Sequence, residues 1–420
     1  MGPASPPGAP VAGPLAGLRV VDCSTVLAGP YCTMLLGDLG AEVVKVEPPE
    51  GDATRGWGPP WVGSSEAGTQ TAAYYLAVNR NKRSLRLDLK MPDGSAILRQ
   101  LLGDADVLVE NYRADGFERL GFGEATLRRL NPALVHLAIS GYGATGPAAD
   151  RPGYDFVIQA ASGLMSITGA PDSAGGESTK VGVAISDVVT GMLGAVTVLA
   201  GLVGRERGLG PATGTGTGQR IDISLLGATL ASLVNQAQNA FVTGVAPSRM
   251  GNAHPNIVPY ENFATADGAI AIAVGSERQW PRLCAAIGLP DLATDPRFGT
   301  NGDRVEHRAE LHPILATRFA ARVTADWLMD LLVAEIPAGP INDVLAAFAS
   351  PDATALGMTV EETHPVWGVI RQVGIPFHLS ETPASIRTLP PTLGQHTDEI
   401  LAELGHSPPE IESLRARGVV

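Results

Sequence analysis

Leu15-Ala-Gly-Leu-Arg-Val-Val-Asp22, Leu27-Ala-Gly-Pro-Tyr-Cys-Thr-Met-Leu-Leu-Gly-Asp-Leu-Gly40 and Ala41-Glu-Val-Val-Lys-Val-Glu-Pro48 follow one another near the start of the chain. Val20 with Val21, and Val43 to Val46, are short runs rich in β-branched residues, which suit buried strands. Between them Pro30 stands where a helix can begin without losing a needed N–H. The block therefore reads as strand, helix, strand. A dinucleotide-binding unit would carry G-x-G-x-x-G between the first strand and the helix, so that a pyrophosphate approaches the backbone. Here that loop offers only Ala28-Gly29-Pro30.

The same alternation continues outward. Ser84 to Leu89 reads as a strand, Gly94 to Leu102 as a helix, and Val107 to Val109 and Leu134 to Ser140 as further strands. Gly191 to Val203 reads as a long apolar helix and Arg220 to Leu225 as a strand. Strands separated by helix-length segments predict an α/β fold with a Rossmann-like, mostly parallel sheet covered on both faces. Gly214-Thr-Gly-Thr-Gly218 precedes a strand instead of a helix, so it reads as a turn and not as a phosphate loop. Composition shifts near Gln236. From there the chain carries Asn, Gln, Arg-rich helices and a hairpin, Tyr260 to Thr265 and Ala269 to Val274 across Asp267-Gly268. Val360 to Val369 and Ser380 to Pro390 read as Pro-punctuated extended segments, and Gly394 to Leu404 ends in a helix. With 420 residues, more than one core is expected. The expected division is a disordered Pro/Ala/Gly tail over 1–13, a large α/β lobe over 14–235, a smaller α+β lobe over 236–323, and a linker returning to the large lobe over 324–420.

Composition excludes several function classes. A net charge of -13 with one short basic cluster, Arg80 to Arg86, argues against a nucleic-acid partner. The tail lacks the basic and apolar regions of a signal peptide. Val181 to Val203 is apolar, but Asp187 interrupts it and Gly182, Gly191, Gly194 and Gly201 dilute it, so a buried helix is expected and no membrane association. Three cysteines without a C-x-x-C fit reduced, buried thiols and a cytoplasmic protein. The eight histidines are scattered, no H-E-x-x-H occurs, and His396 with Glu399 reads as helix capping, so no metal is expected. No G-x-S-x-G nucleophile elbow occurs either.

One carboxylate stands out. Asp187, in Val183-Ala-Ile-Ser-Asp-Val-Val-Thr-Gly-Met192, is a lone acid in an apolar run at the head of a predicted helix. It reads equally as an N-cap and as a functional acid. Helix-terminal N–H groups favour the anion by about 0.3–1 kcal/mol, whereas burial without partners raises a carboxyl pKa by up to about 3–5 units. An anionic nucleophile at this position therefore needs further N–H donors or a water path.

The opening block and the Asp187 segment closely resemble the family III CoA transferases, the group that includes formyl-CoA transferase and the acyl-CoA racemases. The resemblance runs from about Pro14 to Gly405. It implies that Asp187 is a covalent nucleophile, passing through an aspartyl anhydride and an aspartyl-CoA thioester, and that Asp155 in Gly153-Tyr-Asp155 is a second active-site carboxylate. It places Val26, Leu87, Lys90, Asn111, Tyr112 and Arg119 at CoA-binding positions and Gly251, Asn252 and His254 in a substrate loop. Coenzyme A enters as a substrate and no permanently bound cofactor is implied. The partners implied are an acyl-CoA, a free carboxylic acid and a second copy of the chain, in a homodimer of interlocked rings that close near Gln236 and over 323–351.

Three departures shape the substrate reading. Leu27 stands where formyl-CoA transferase has Gln, and the loop Arg249 to Tyr260 is shorter than its glycine-rich lid, in a form like that of members using larger acids such as dicarboxylates. Tyr154 stands where the racemases have His, although Glu277 matches their glutamate. A CoA transferase is the leading reading. A racemase, discriminated by deuterium exchange at the substrate α-carbon, is the alternative, and a CoA-binding protein without turnover is a third.

Overall fold

The computed structural model describes residues 12–113, 115–209 and 216–420. The first eleven residues of the expected tail, and Gly214 and Thr215 of the expected turn, lie outside them. Six strands, β1 (Arg19–Cys23), β2 (Glu42–Glu47), β3 (Lys82–Arg86), β4 (Val107–Glu110), β5 (Val135–Ser140) and β6 (Arg220–Ser224), pair in the order β3-β2-β1-β4-β5-β6. Every pair is parallel. This is the strand order of dinucleotide-binding sheets, built without their glycine fingerprint.

Alternation along the strands divides the apolar residues between two faces. Val20, Val107, Val109, Val135 and Leu137 pack with Cys32 and Leu36 of α1 (Ala28–Asp38). Val21, Leu85 and Leu108 pack with Ile97 and Leu98 of α2 (Pro92–Gly103) and with the C-terminal helices Thr397–Glu403 and Pro408–Ala416. β3 begins at Lys82, two residues earlier than expected. A lysine followed by an arginine reads as a loop, but Lys82 is fully buried with its ammonium 3.0 Å from Asp22. The stretch expected as one extended segment, Val360 to Val369, instead holds most of the first strand, the turn and the start of the second strand of a hairpin between Thr359–His364 and Gly368–Val373. The His364 ring Nδ1 accepts the Val366 and Trp367 N–H groups and so closes the turn.

The chain forms two compact units. The first takes in the chain up to Leu164, then Val181–Ala237 and Pro351–Val420, and contains the parallel sheet. It also contains α3 (Asp155–Ala161) and α4 (Ile185–Glu206). α4 starts six residues before the expected Gly191, and it is only partly buried: Met192, Leu193, Val196 and Val203 are exposed. The second unit comprises Met165–Lys180 and Gln238–Ser350. Its antiparallel sheet joins β7 (Tyr260–Ala264), β8 (Ala269–Ala273) and β9 (Ala338–Pro340), with the predicted hairpin in register Ala264 to Ala269. Trp280, Phe319 and Trp327 fill its core.

Candidate active site

Between β1 and β4 the sheet reverses its direction of winding, and the carboxyl ends of these two strands open a crevice there. The turn after β1 is bent sharply: Val26 has φ +71°, a left-handed conformation that a β-branched residue adopts only under strong constraint. Asn111, just beyond β4, supplies part of that constraint. Its side-chain oxygen accepts the Thr25 N–H at 2.9 Å and its amide donates to the Thr25 carbonyl at 2.8 Å. A cavity of about 280 Å³ lies at this point, lined among others by Thr25, Val26, Ala28, Asn111, Tyr112, Arg113, Arg151, Tyr154 and Asp187.

Asp187 reaches the cavity from the first turn of α4. It is not the N-cap: that residue is Ala184, which has no capping side chain. The free N–H of Ser186 is taken instead by Asp155, at the head of α3, whose Oδ1 accepts it at 2.8 Å. Asp155 Oδ2 accepts from Gln159 at 2.7 Å, and Gln159 in turn accepts the Val181 N–H at 2.8 Å. α3 thus caps α4 from outside, and Asp187 is left free of that duty. Burial pushes the Asp187 carboxyl up to about 7, and the negative charge of Asp155 pushes in the same direction; the backbone N–H of Ala28 opposes both. The sequence argument asked for such an extra N–H donor.

What brings Ala28 so near is the face Asp187, Gly191, Gly194, spaced i, i+4, i+7 along α4. A Cβ on Gly191 would stand 2.6 Å from the Ala28 carbonyl oxygen, and one on Gly194 would stand 3.1 Å from Leu137 and 3.3 Å from Cys32. Only glycine lets α4 lie this close to α1. Tyr74 also belongs to the site. Burial, with Asp187 next, pushes its hydroxyl up to about 12, and its ring packs edge-on to Trp57 with centroids 5.3 Å apart. Neither residue sits in a motif, so sequence reasoning missed both.

The other singled-out positions divide. Leu87, Lys90, Asn111 and Tyr112 line a second, more apolar cavity of about 270 Å³ together with Cys23, Val46 and Leu120. Leu87 is buried and Lys90 exposed. Arg119 lines neither cavity, and its guanidinium is paired with Asp115 one helical turn away. Gly251, Asn252 and His254 lie in the second unit. Gly251 has φ +62° and donates to the Gly169 carbonyl at 3.0 Å, which holds the loop on the 165–180 segment. Asn252 donates to Asn262 at 2.7 Å, and the His254 ring packs on Tyr260. Glu277 accepts the Asn301 N–H at 2.6 Å and pairs with the buried Arg304 at 3.1 Å, so it is tied into a helix start. No cluster of metal-ligating side chains occurs among the described residues.

Comparison with known proteins shows the family. Residues 15–397 match the family described as CoA-transferase family III. The succinate–glutarate CoA-transferase of Agrobacterium fabrum is 44% identical over 392 residues, spanning 93% of this chain and 96% of that protein. The human succinyl-CoA:glutarate CoA-transferase is 40% identical over 409 residues, spanning 97% and 90% respectively. The crystal structure of a CAIB/BAIF family protein from Brucella suis superposes with a TM-score of 0.81 at 40% identity, covering 94% of this chain and all of that one. With its opening block, its Asp187 segment and nearly its whole length matched in this way, the chain belongs to CoA-transferase family III.

Proposed function

We propose that this CoA transferase exchanges CoA between dicarboxylic acids through a covalent intermediate on Asp187. The observation that carries the nucleophile is a buried acid in the wall of the switch-point cavity, facing the Ala28 N–H and pushed up by burial. Such a carboxylate is more basic than a surface aspartate, and therefore more nucleophilic, yet it keeps an ionised form near neutral pH. The anion attacks the donor thioester carbonyl and expels CoA thiolate, giving a mixed anhydride. The thiolate then attacks the Asp187 carbonyl of that anhydride, releases the donor acid and leaves an aspartyl-CoA thioester. The acceptor carboxylate displaces the thiolate again, and the thiolate attacks the acceptor's acyl carbon, restoring the Asp187 carboxylate. Every electron pair is returned, and no further reactant is consumed.

Relatives named for succinate and glutarate suggest the dicarboxylate class. Arg113 and Arg151 support it by bringing positive charge to the cavity that holds Asp187. The same charge suits CoA phosphates, and the apolar cavity at Leu87, Lys90 and Tyr112 suits the nucleotide end. Gly251, Asn252 and His254 are assigned to the acid substrate. Donor and acceptor are tested together by offering succinyl-CoA with glutarate, and then with a monocarboxylate of equal chain length, and detecting new thioesters by mass spectrometry. Transfer to the dicarboxylate alone is expected; equal transfer to both overturns the dicarboxylate assignment.

The working form is a homodimer of interlocked chains, as the resemblance implies. A second copy would cover the exposed Met192, Leu193, Val196 and Val203 of α4. Sedimentation at high dilution should show dimer alone, and a stable folded monomer would refute it.

A further inference from the structure

Beneath the active-site turn lies a set of fully buried charges that the transfer steps do not use. Lys45, in the middle of β2, is 0% exposed, and so is the side chain of its partner Asp52, 2.9 Å away. The Lys45 ammonium also donates to the Ser24 carbonyl at 2.9 Å. Asp52 Oδ1 accepts the Thr54 N–H at 2.9 Å, the Thr54 hydroxyl at 2.7 Å and the Val26 N–H at 3.4 Å. Both remain ionised: burial works against each charge, but the surrounding carboxylates hold Lys45 up and the Lys45 ammonium holds Asp52 down.

Buried ion pairs are a poor way to stabilise a fold, because apolar residues of similar volume often do as well or better. This pair has a different task. The turn between β1 and α1 has no ladder of its own, and each backbone polar group from the Ser24 N–H to the Val26 N–H is met by a side chain. Asp22 accepts the Ser24 N–H at 3.0 Å, Lys45 takes the Ser24 carbonyl, Asn111 takes both groups of Thr25, and Asp52 accepts from Val26. Strained residues persist only where the surroundings over-determine them. Val26 at φ +71° is such a residue, and the Ala28 N–H two positions on is the donor that faces Asp187.

We propose that Lys45 is a positioning residue for the transfer reaction: clamped to Asp52, it fixes the Ser24–Val26 turn so that the Ala28 N–H is held towards Asp187. The proposal rests on the reading of Asp187 as nucleophile. The remaining ionisable groups that face Asp187, Asp155 from α3 and Tyr74 from the short helix Ala73–Leu76, touch neither Lys45 nor Asp52 by any hydrogen bond or ion pair among the described residues. Asp52 does contribute to the field at the Tyr74 hydroxyl, so Lys45 and Asp52 are removed together to keep the net charge near Tyr74 unchanged.

The test is the double substitution Lys45→Met with Asp52→Asn, which removes equal and opposite charges and so changes the local field little. In single-turnover labelling of Asp187 by acyl-CoA at pH 7, the expected result is a rate about tenfold lower or more, with KM for acyl-CoA nearly unchanged. The acid limb of the rate should also move to higher pH, because the N–H that favours the anion is displaced. Asp52→Asn alone serves if the double variant does not fold. Its amide can keep its oxygen towards Thr54 and Val26 only by turning its NH₂ on Lys45, so the same loss of labelling rate is expected in milder form. The acid limb is read only in the charge-balanced double variant, because Asp52→Asn alone leaves Lys45 uncompensated and favours the Asp187 anion. A folded variant that labels at the wild-type rate with an unmoved acid limb overturns the positioning role. Failure of the wild-type enzyme to label at Asp187 refutes the nucleophile reading instead, so the two failures are told apart.

Discussion

A carboxyl group raised from an ordinary 3.8 to about 7 affects stability as well as chemistry. Between these values folded Asp187 holds a proton that the unfolded chain has released, so its burial is tolerated at low pH and becomes progressively unfavourable as pH rises through 7. Asp187→Asn carries no such charge. Its melting temperature relative to wild type should therefore climb between pH 5 and pH 8, as differential scanning calorimetry would show; a variant destabilised equally at both pH values would speak for a structural role. Asp155→Asn is the complementary test. It keeps an oxygen for the Ser186 N–H but removes the like charge beside Asp187, so the acid limb of kcat/KM should move below its wild-type position. At this scale the sequence marked Asp187 as an isolated acid but left N-cap and functional readings level. In the structure the N-cap position is Ala184, which has no capping side chain, and Asp155 accepts the Ser186 N–H, an arrangement set by the packing of α3 on α4 and invisible in the local sequence.

The helices and strands themselves were largely legible, since hydrophobic period and turn chemistry are local. The β1–α1–β2 block, the Asp267-Gly268 hairpin and the C-terminal helix all stand close to where their residues put them. α4 extends beyond the expected Gly191 to Val203 at both ends. In the structure Gly191 and Gly194 are the contact face towards α1. Gly191→Ala should improve helix propensity by roughly 0.8–1 kcal/mol, yet lose more by forcing Cβ onto the Ala28 carbonyl, as overpacking costs about 1–3 kcal/mol. The expected outcome is a lower melting temperature and slower transfer together, measured on the purified variant. A more stable and fully active variant would show that the close approach of α4 to α1 does not matter.

For the whole molecule, the sequence foretold a parallel α/β sheet and a separate smaller unit but could not show how distant segments meet. The resemblance implied that the segments at 79–90 and 111–119 both bind CoA, but the sequence could not show how they meet. Leu87 and Lys90, which follow β3, and Asn111 and Tyr112, which follow β4, line one cavity beyond the carboxyl ends of the parallel strands. Arg119 stays outside it, paired with Asp115. The small unit takes in Met165–Lys180, far from the composition shift near Gln236, and it does so through tertiary contacts such as the Gly251 N–H on the Gly169 carbonyl and Arg249 with Asp172. No local signal encodes such contacts.

Transfer through a covalent intermediate on Asp187 is checked by trapping that intermediate. Enzyme incubated with acyl-CoA should be treated with hydroxylamine, which converts an activated side chain to a hydroxamate, and mapped by peptide mass spectrometry. A single hydroxamate is expected on the peptide containing Asp187, absent from Asp187→Asn, which should also have lost transfer while remaining folded. A label on Asp155 instead, or transfer that continues with no label on any carboxylate, would contradict it.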